Sequence, residues 1–393
     1  MKYRFLPSPQ QEQLVHTIVA RDPQAAIAAW QSWKQSVDLD HIDTGSARLL
    51  PLAYLRLREH LEDDATLTLA RGAYKKAWYR NLLLFRQGAQ AIGKLRAAGI
   101  SALVFKGAAI ATRYYESPAL RPMDDLDIAV PPDDALRALR VLQEDGWAVK
   151  DLPHQRGEAE DLVPYCHGFD LEKGTEQFLD LHWHLIALDR TPDADAAIWN
   201  DGDLVDFFGE RVLMPNLTDS LLITCFHGCR QMFSGETSTL RWCADALELL
   251  RVGDVDWQRL TDAAETRGIG ASVGTGLEYL RDTFGAEVPA DPLARLHNSR
   301  PSFSRRHYLQ CVMNHATPEQ LKPRTALFLR YMEEVAATIP AGLSPGNVAA
   351  HLRNFVPWWR HMARRQGTTT PRLTVRTARR LVTSSIRRRL GGK

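Results

Sequence analysis

Two aspartates separated by one leucine, Asp125 and Asp127, stand at the head of an apolar run, Asp125-Leu126-Asp127-Ile128-Ala129-Val130. In a strand, alternate side chains share a face, so the two carboxylates project together about 6.5–7 Å apart. Parallel carboxylates repel and are costly unless a cation compensates them. Magnesium, which takes carboxylate oxygens together with substrate phosphates, suits such a pair, with manganese as its substitute. A third carboxylate completes a two-metal site for phosphoryl or nucleotidyl transfer. Asp180 can supply it: this residue lies inside Phe178-Leu179-Asp180-Leu181-His182-Trp183-His184-Leu185, where an unpaired acid would be expensive. If its strand lies beside that of Asp125, the three acids face one cluster.

Upstream, the apolar segment 103–105 runs into Lys106-Gly107-Ala108-Ala109 and a helix-forming stretch. Glycine at that turn lets backbone approach a phosphate, and a helix N-terminus favours anions. Lys106, Gly107, Ala108 and Arg121 are therefore the candidate nucleotide-binding residues, with the two cations holding triphosphate charge. His182 is expected to orient a carboxylate or the nucleotide and His184 to be structural; an Asp-His-His metal set is the alternative. Plainer readings stand beside these. Asp124, Asp125 and Asp127 can form a solvated turn, Asp180 can pair with an arginine, and Lys106 can be a surface lysine. Arg241 and Asp245, at i and i+4, read better as an ordinary helical ion pair than as substrate contacts. Two glycine-rich decoys fail. Residues 88–94 have P-loop spacing but follow no strand and lack the Ser or Thr, and the glycines of 268–276 have the wrong spacing.

The elements that must position these residues form an α+β pattern. Residues 1–99 read as helical, with Leu82, Leu83, Phe85, Ile92 and Leu95 at helical spacing before Gly99. A small mixed core follows over 100–216: strands at 100–105 and 125–130, and an amphipathic helix after Pro131 with Leu136, Leu139 and Leu142 inward. Strands are then expected at 147–150, 169–172, 178–186 and 210–214, the middle two forming a hairpin about Lys173-Gly174. Residues 217–340 return to helix, with segments at 218–233, 240–250, 257–267 and 271–284, and 341–393 form a basic tail.

Composition is that of a globular protein, with 45% apolar and 24% charged residues. Five scattered cysteines, with no CxxC pair, indicate neither a disulfide framework nor a zinc ribbon. Cys225 and Cys229 read as buried small hydrophobes. The first residues lack a secretory apolar run and no segment is long enough to span a membrane, so a cytoplasmic location is expected. The net charge of +2 hides an asymmetry: 12 of the 49 Lys and Arg follow Glu334, where no acid occurs. The first 334 residues hold 47 acidic side chains against 37 basic. Nucleic acid, an anionic membrane or an acidic partner would attract the tail, and a solvated extension is the plain alternative.

The run from Leu103 to Ile110, then Tyr114-Tyr115, Arg121, Asp125-Leu126-Asp127-Ile128-Ala129-Val130 and Leu179-Asp180-Leu181-His182-Trp183, resembles the bacterial uncharacterised nucleotidyltransferase family of the polymerase-β superfamily. His227-Gly228 and Leu240-Arg241-Trp242-Cys243-Ala244-Asp245 extend the resemblance, which covers roughly residues 80–290. It implies a polymerase-β-like core between helical segments. It also implies metal-dependent transfer of an NMP from an NTP, ATP being the expected one, to an acceptor hydroxyl with release of pyrophosphate. Asp125, Asp127 and Asp180 would be catalytic and metal-binding, with Mg2+ or Mn2+. The turn departs from the superfamily's Gly-Ser or Gly-Gly, having Lys106-Gly107-Ala108 and no small hydroxyl. A small molecule, a peptide or protein side chain and an RNA end all use this chemistry, and the acidic body favours a small molecule, peptide or protein. A catalytically silent nucleotide- or nucleic-acid-binding regulatory protein with the same fold is the rival reading.

Overall fold

A computed structural model describes residues 6–150, 160–175, 177–230, 240–299 and 336–339, with isolated positions at 346, 350 and 353. The basic tail and the expected helical segment 231–233 lie outside the described residues, isolated positions aside.

The expected N-terminal helices form α1 (Pro9–Val19), α2 (Pro23–Ser36), α3 (Thr44–Leu57) and α4 (Ala65–Ala97). Each begins at a side chain able to accept from its free amides: Ser8 in a capping box with Gln11, then Asp22, Asp43 and Asp64. The core follows as β1 (Leu103–Val104), α5 (Lys106–Arg113), β2 (Leu126–Ala129), α6 (Ala135–Glu144), β3 (Ala148–Val149), β4 (Gly168–Lys173), β5 (Gln177–His182), α7 (Ala196–Asn200), β6 (Asp203–Phe207) and β7 (Glu210–Met214). Then come α8 (Leu217–Arg230), α9 (Leu240–Val252), α10 (Trp257–Thr266), α11 (Gly270–Phe284) and α12 (Ala290–Asn298).

Among the described residues the strands make one mixed sheet in the order β3-β4-β5-β2-β1-β7-β6. β2 runs antiparallel to β1 and parallel to β5. Its position at the centre explains its apolar character on both faces. One face of the sheet packs Leu126, Ile128, Leu179 and Leu181 against α4 and α6. Here Gly88 of α4 lies directly on Leu126; a Cβ added to it would come within 1.9 Å of that side chain. The opposite face has a smaller apolar cluster of Leu103, Phe105, Ala129, Leu185, Ile198 and Ile223, and it presents the acidic residues. The N- and C-terminal helices share one apolar core, in which Trp30, Leu49 and Leu57 join Phe226, Trp242 and Leu277.

Several local expectations are corrected. Leu136 is 40% exposed, because the inner face of α6 is Ala135, Ala138, Leu139 and Leu142, a cleaner i, i+3, i+4, i+7 set. Leu83 is also exposed, on the outer face of α4. The strand expected over 178–186 ends at His182. β6 and α12 were not foreseen.

Candidate active site

β2 and β5 pair in parallel with Asp127 opposite Asp180 and Ala129 opposite His182. Register partners on neighbouring strands, about 4.8 Å apart, point to the same side. The alternation that sends Leu126, Leu179 and Leu181 into the helix-covered core therefore sends Asp127, Asp180 and His182 to the other face. One ligand atom from each of these three lies within 4.8 Å of the others, a grouping able to hold a metal ion. Asp170 on β4 is in register with Asp180, extending the acidic row onto a third strand.

Lys106 enters this cluster from α5. Its Nζ donates to Asp127 Oδ1 at 2.6 Å and lies 3.3 Å from His182 Nε2, which is itself 3.1 Å from the same Asp127 oxygen. Lys106 has φ +49°, a left-handed conformation uncommon outside glycine and one that clusters at functional sites. Phe105, the N-cap of α5, offers no side-chain cap, so the first amides of the helix have no acceptor from that residue.

The charges are unevenly compensated. Burial would raise the Asp127 carboxyl, but the Lys106 charge and the His182 contact hold it well below the usual carboxylate range. Asp180 is pushed well above that range by burial and by the charges of Asp125, Asp127 and Asp170. Asp125, half-buried ahead of β2, is raised by burial and by Asp127, with Arg241 and Lys106 opposing. It lies outside the three-residue grouping but acts on it electrostatically. Burial and the Lys106 charge lower His182, favouring the neutral imidazole a metal requires, and its Nδ1 has no hydrogen-bond partner among the described residues.

Arg121 has a different place from the one expected. It is buried, and its Nε lies 3.1 and 3.0 Å from the two carboxylate oxygens of Asp245, to which Tyr115 also donates at 3.1 Å. Its guanidinium lies against Gly107, where an added Cβ would fall 2.2 Å from Nη1. Gly107 is thus required by the arginine beneath the turn, and the expected Arg241–Asp245 helical pair gives way to Arg121–Asp245. Asp245→Asn should lower stability by about 2 kcal/mol, since it weakens a buried charged pair without removing every acceptor. A urea midpoint equal to wild type would show that the pair does not anchor the turn.

His184 is also away from the cluster, 4.0 Å from Asp195, with burial and nearby Arg190 and Arg267 lowering its pKa to about 4. Cys225 and Cys229 are buried as expected, their thiols raised by burial.

The sequence reading missed a wall of arginines beside Asp125. Arg48 of α3 and Arg80 of α4 both reach Asp124. Arg241 of α9 donates to the Pro122 carbonyl at 3.4 Å, and burial with the Arg121 and Arg48 charges lowers its pKa to about 10. A cation destabilised in this way gains by meeting further negative charge.

The molecule so described is an α+β protein with an acidic, histidine-containing cluster at the centre of a mixed sheet. It belongs to the uncharacterised nucleotidyltransferase family, whose model matches residues 45–285. A solved structure with likeness to it is an antigenic nucleotidyltransferase-like protein from Paracoccidioides brasiliensis, 14% identical over 55% of this chain and 97% of that one, with a TM-score of 0.33. No curated protein matches the chain. Among the described residues, no helix is long and apolar enough to cross a membrane.

Proposed function

We propose that the protein transfers an NMP from an NTP, ATP being the expected donor, to an acceptor hydroxyl, releasing pyrophosphate. The observation that carries this reading is the in-register pairing of Asp127 with Asp180, which brings His182 into the same group of potential ligands. Family membership supports it. So does the order of turn, D-x-D strand and later aspartate, in which the sequence resembles the polymerase-β superfamily.

Asp127, Asp180 and His182 have the donor chemistry to hold a divalent cation, Mg2+ or Mn2+, with Asp125 adding charge beside them. The elevated Asp180 carboxyl is the mark of negative charge still short of a counterion. When bound, the cation supplies charge stabilisation at the phosphoryl group under transfer. The remaining work falls to the chain itself. The first amides of α5 and the Lys106 ammonium bind the nucleotide phosphates, and Arg241 adds positive charge beside Asp125. Asp180, opposite Asp127 across the β2–β5 pair, takes the proton from the acceptor hydroxyl as it attacks the α-phosphorus. The bond from the α-phosphorus to the bridging oxygen then breaks and pyrophosphate departs. The acceptor hydroxyl belongs to a small molecule, a peptide or protein, or a nucleic-acid end.

The test is to incubate the protein with each labelled NTP and either Mg2+ or Mn2+, and to follow pyrophosphate and label transfer. Asp125→Ala/Asp127→Ala is the control, and equal transfer by that variant refutes the site. Nucleotide binding without turnover under every condition would favour a regulatory protein instead. An imidazole in the donor set tilts preference toward manganese, since magnesium prefers oxygen. His182→Asn, replacing nitrogen with an amide, should therefore lower the Mn2+/Mg2+ rate ratio several-fold; an unchanged ratio would remove His182 from the donor set.

A further inference from the structure

The acidic character of residues 1–334 is not spread evenly. Helix α4 holds seven Lys and Arg and no Asp or Glu in its 33 residues. Lys94 and Arg96, near its end, are engaged by Asp145 and Glu210. Arg71, Lys75, Lys76 and Arg86 are exposed and make no ion pair with another described residue. At 100° per residue, Arg71, Lys75, Tyr79 and Arg86 fall within an arc of about 80° on one side of the helix. Trp78 stands on one flank, and Lys76, Leu83 and Arg80 on the other. Trp78 is 48% exposed and Tyr79 61%, unusual for rings this large. The opposite face of α4 is committed to the sheet through Leu84, Phe85, Gly88 and Ile92. The basic face therefore cannot rotate inward.

The edge of this face reaches the loop before β2, while the acids of the cluster project from the sheet face opposite α4. Arg80, on its edge, is 3.3 Å from Asp124, the neighbour of Asp125. Asn81, one residue on, fixes the loop leading to β2 by donating to the carbonyls of Pro118 and Arg121 and accepting from the Met123 amide.

We propose that the exposed face of α4 binds single-stranded nucleic acid and presents its terminal hydroxyl to the Asp127–Asp180 site as the acceptor. The binding half stands by itself; the acceptor half rests on the nucleotidyl-transfer reading above. These exposed cations attract the phosphates, and the interleaved rings offer stacking surfaces that only unstacked bases can use. A duplex hides its bases from such rings. An anionic membrane would call for an uninterrupted apolar stripe, whereas the exposed rings here alternate with charges. The overall acidity that favours a small molecule, peptide or protein is a property of the whole body and does not describe this helix.

Fluorescence anisotropy with a labelled twelve-nucleotide RNA, and with DNA of the same sequence, tests the surface on the full chain. Neutralising about five phosphates of a single strand should make affinity fall by roughly 100-fold between 50 and 200 mM salt. Lys75→Glu/Lys76→Glu should weaken binding at least tenfold. Trp78→Ala/Tyr79→Ala should weaken it about tenfold through lost stacking. No binding at low salt, or binding that neither double variant alters, overturns the proposal. So does tighter binding to anionic vesicles than to the oligonucleotide, with the same dependence on the two rings. Asp127→Asn separates the two readings: it should bind the oligonucleotide normally and fail to extend it. Extension by that variant at the wild-type rate would sink the transfer site and leave the surface standing. Normal label transfer to another acceptor, with the bound oligonucleotide never extended, would overturn the acceptor half alone.

Discussion

Replacing Asp127 by Asn should reduce label transfer from NTP by about 10³-fold, the scale expected when a charged group acting at the transition state is removed. Asp127 is the carboxylate on which the cluster converges. Its Oδ1 accepts from Lys106, faces His182 Nε2, and stands in register with Asp180. Asparagine keeps the shape and one acceptor but removes the charge. The fold should survive, because Lys106 is 22% exposed and can turn its ammonium toward solvent. The instructive comparison is Asp124→Asn, three positions before Asp127 and paired with Arg48 and Arg80 on the rim. That change should alter the rate only a few-fold. Pyrophosphate release by the two variants, with thermal melting to confirm folding, reads both effects. An Asp127→Asn enzyme within threefold of wild type would exclude the cluster from the chemistry.

Which parts of this site were legible in the sequence follows from the range of the interactions involved. Asp125-x-Asp127 could be read because strand alternation is local, and Asp180 because a carboxylate inside an apolar run has a cost visible in one dimension. Their register, Asp127 to Asp180 across 53 positions, could only be supposed. His182 could be placed beside Asp180 by alternation, but its contact with Asp127 depends on that same pairing. The partner of Arg121 was hidden for the same reason. That residue, Asp245, is 124 residues away on α9, and no local pattern distinguishes a buried ion pair from a phosphate clamp. The Arg48 and Arg80 contacts come from helices whose sequences show only amphipathic spacing. β6 escaped because Asp203-Leu204-Val205-Asp206-Phe207 is an edge strand, with exposed acids where a central strand would have apolar residues. The helical segments were easier, since caps such as Ser8 and Asp64 and a 3.6-residue period are properties of neighbouring residues.

Lys106→Met should have two opposite effects: tighter binding of Mn2+ in the absence of nucleotide, by about tenfold, and slower nucleotidyl transfer, by about 10²-fold. The first follows from what the ammonium touches. It bonds the Asp127 oxygen and approaches the His182 nitrogen that a divalent cation would also need, so the two cations compete for the same lone pairs. A hydrogen bond between charged groups is worth roughly 1.5–3 kcal/mol, and one tenfold step in affinity is about 1.4 kcal/mol. The competition is therefore large enough to measure. The second effect follows from where the displaced ammonium can go. Lys106 is the first residue of α5, beside amides that have no side-chain cap, so a phosphate seated on that helix end would meet it. Its left-handed backbone costs roughly 1 kcal/mol for a residue with a Cβ, a cost that the ammonium's bond to Asp127 helps offset. On this account Lys106 neutralises the acids of the cluster until a triphosphate binds and then moves to it, which makes nucleotide and metal binding mutually reinforcing. Electron paramagnetic resonance of free Mn2+, titrated with and without a non-hydrolysable NTP analogue, measures both affinities. Wild type should bind Mn2+ more tightly with the analogue present, and the methionine variant should lose most of that difference. Weaker or unchanged Mn2+ binding by the variant without nucleotide would mean that the ammonium only supports the fold around Asp127.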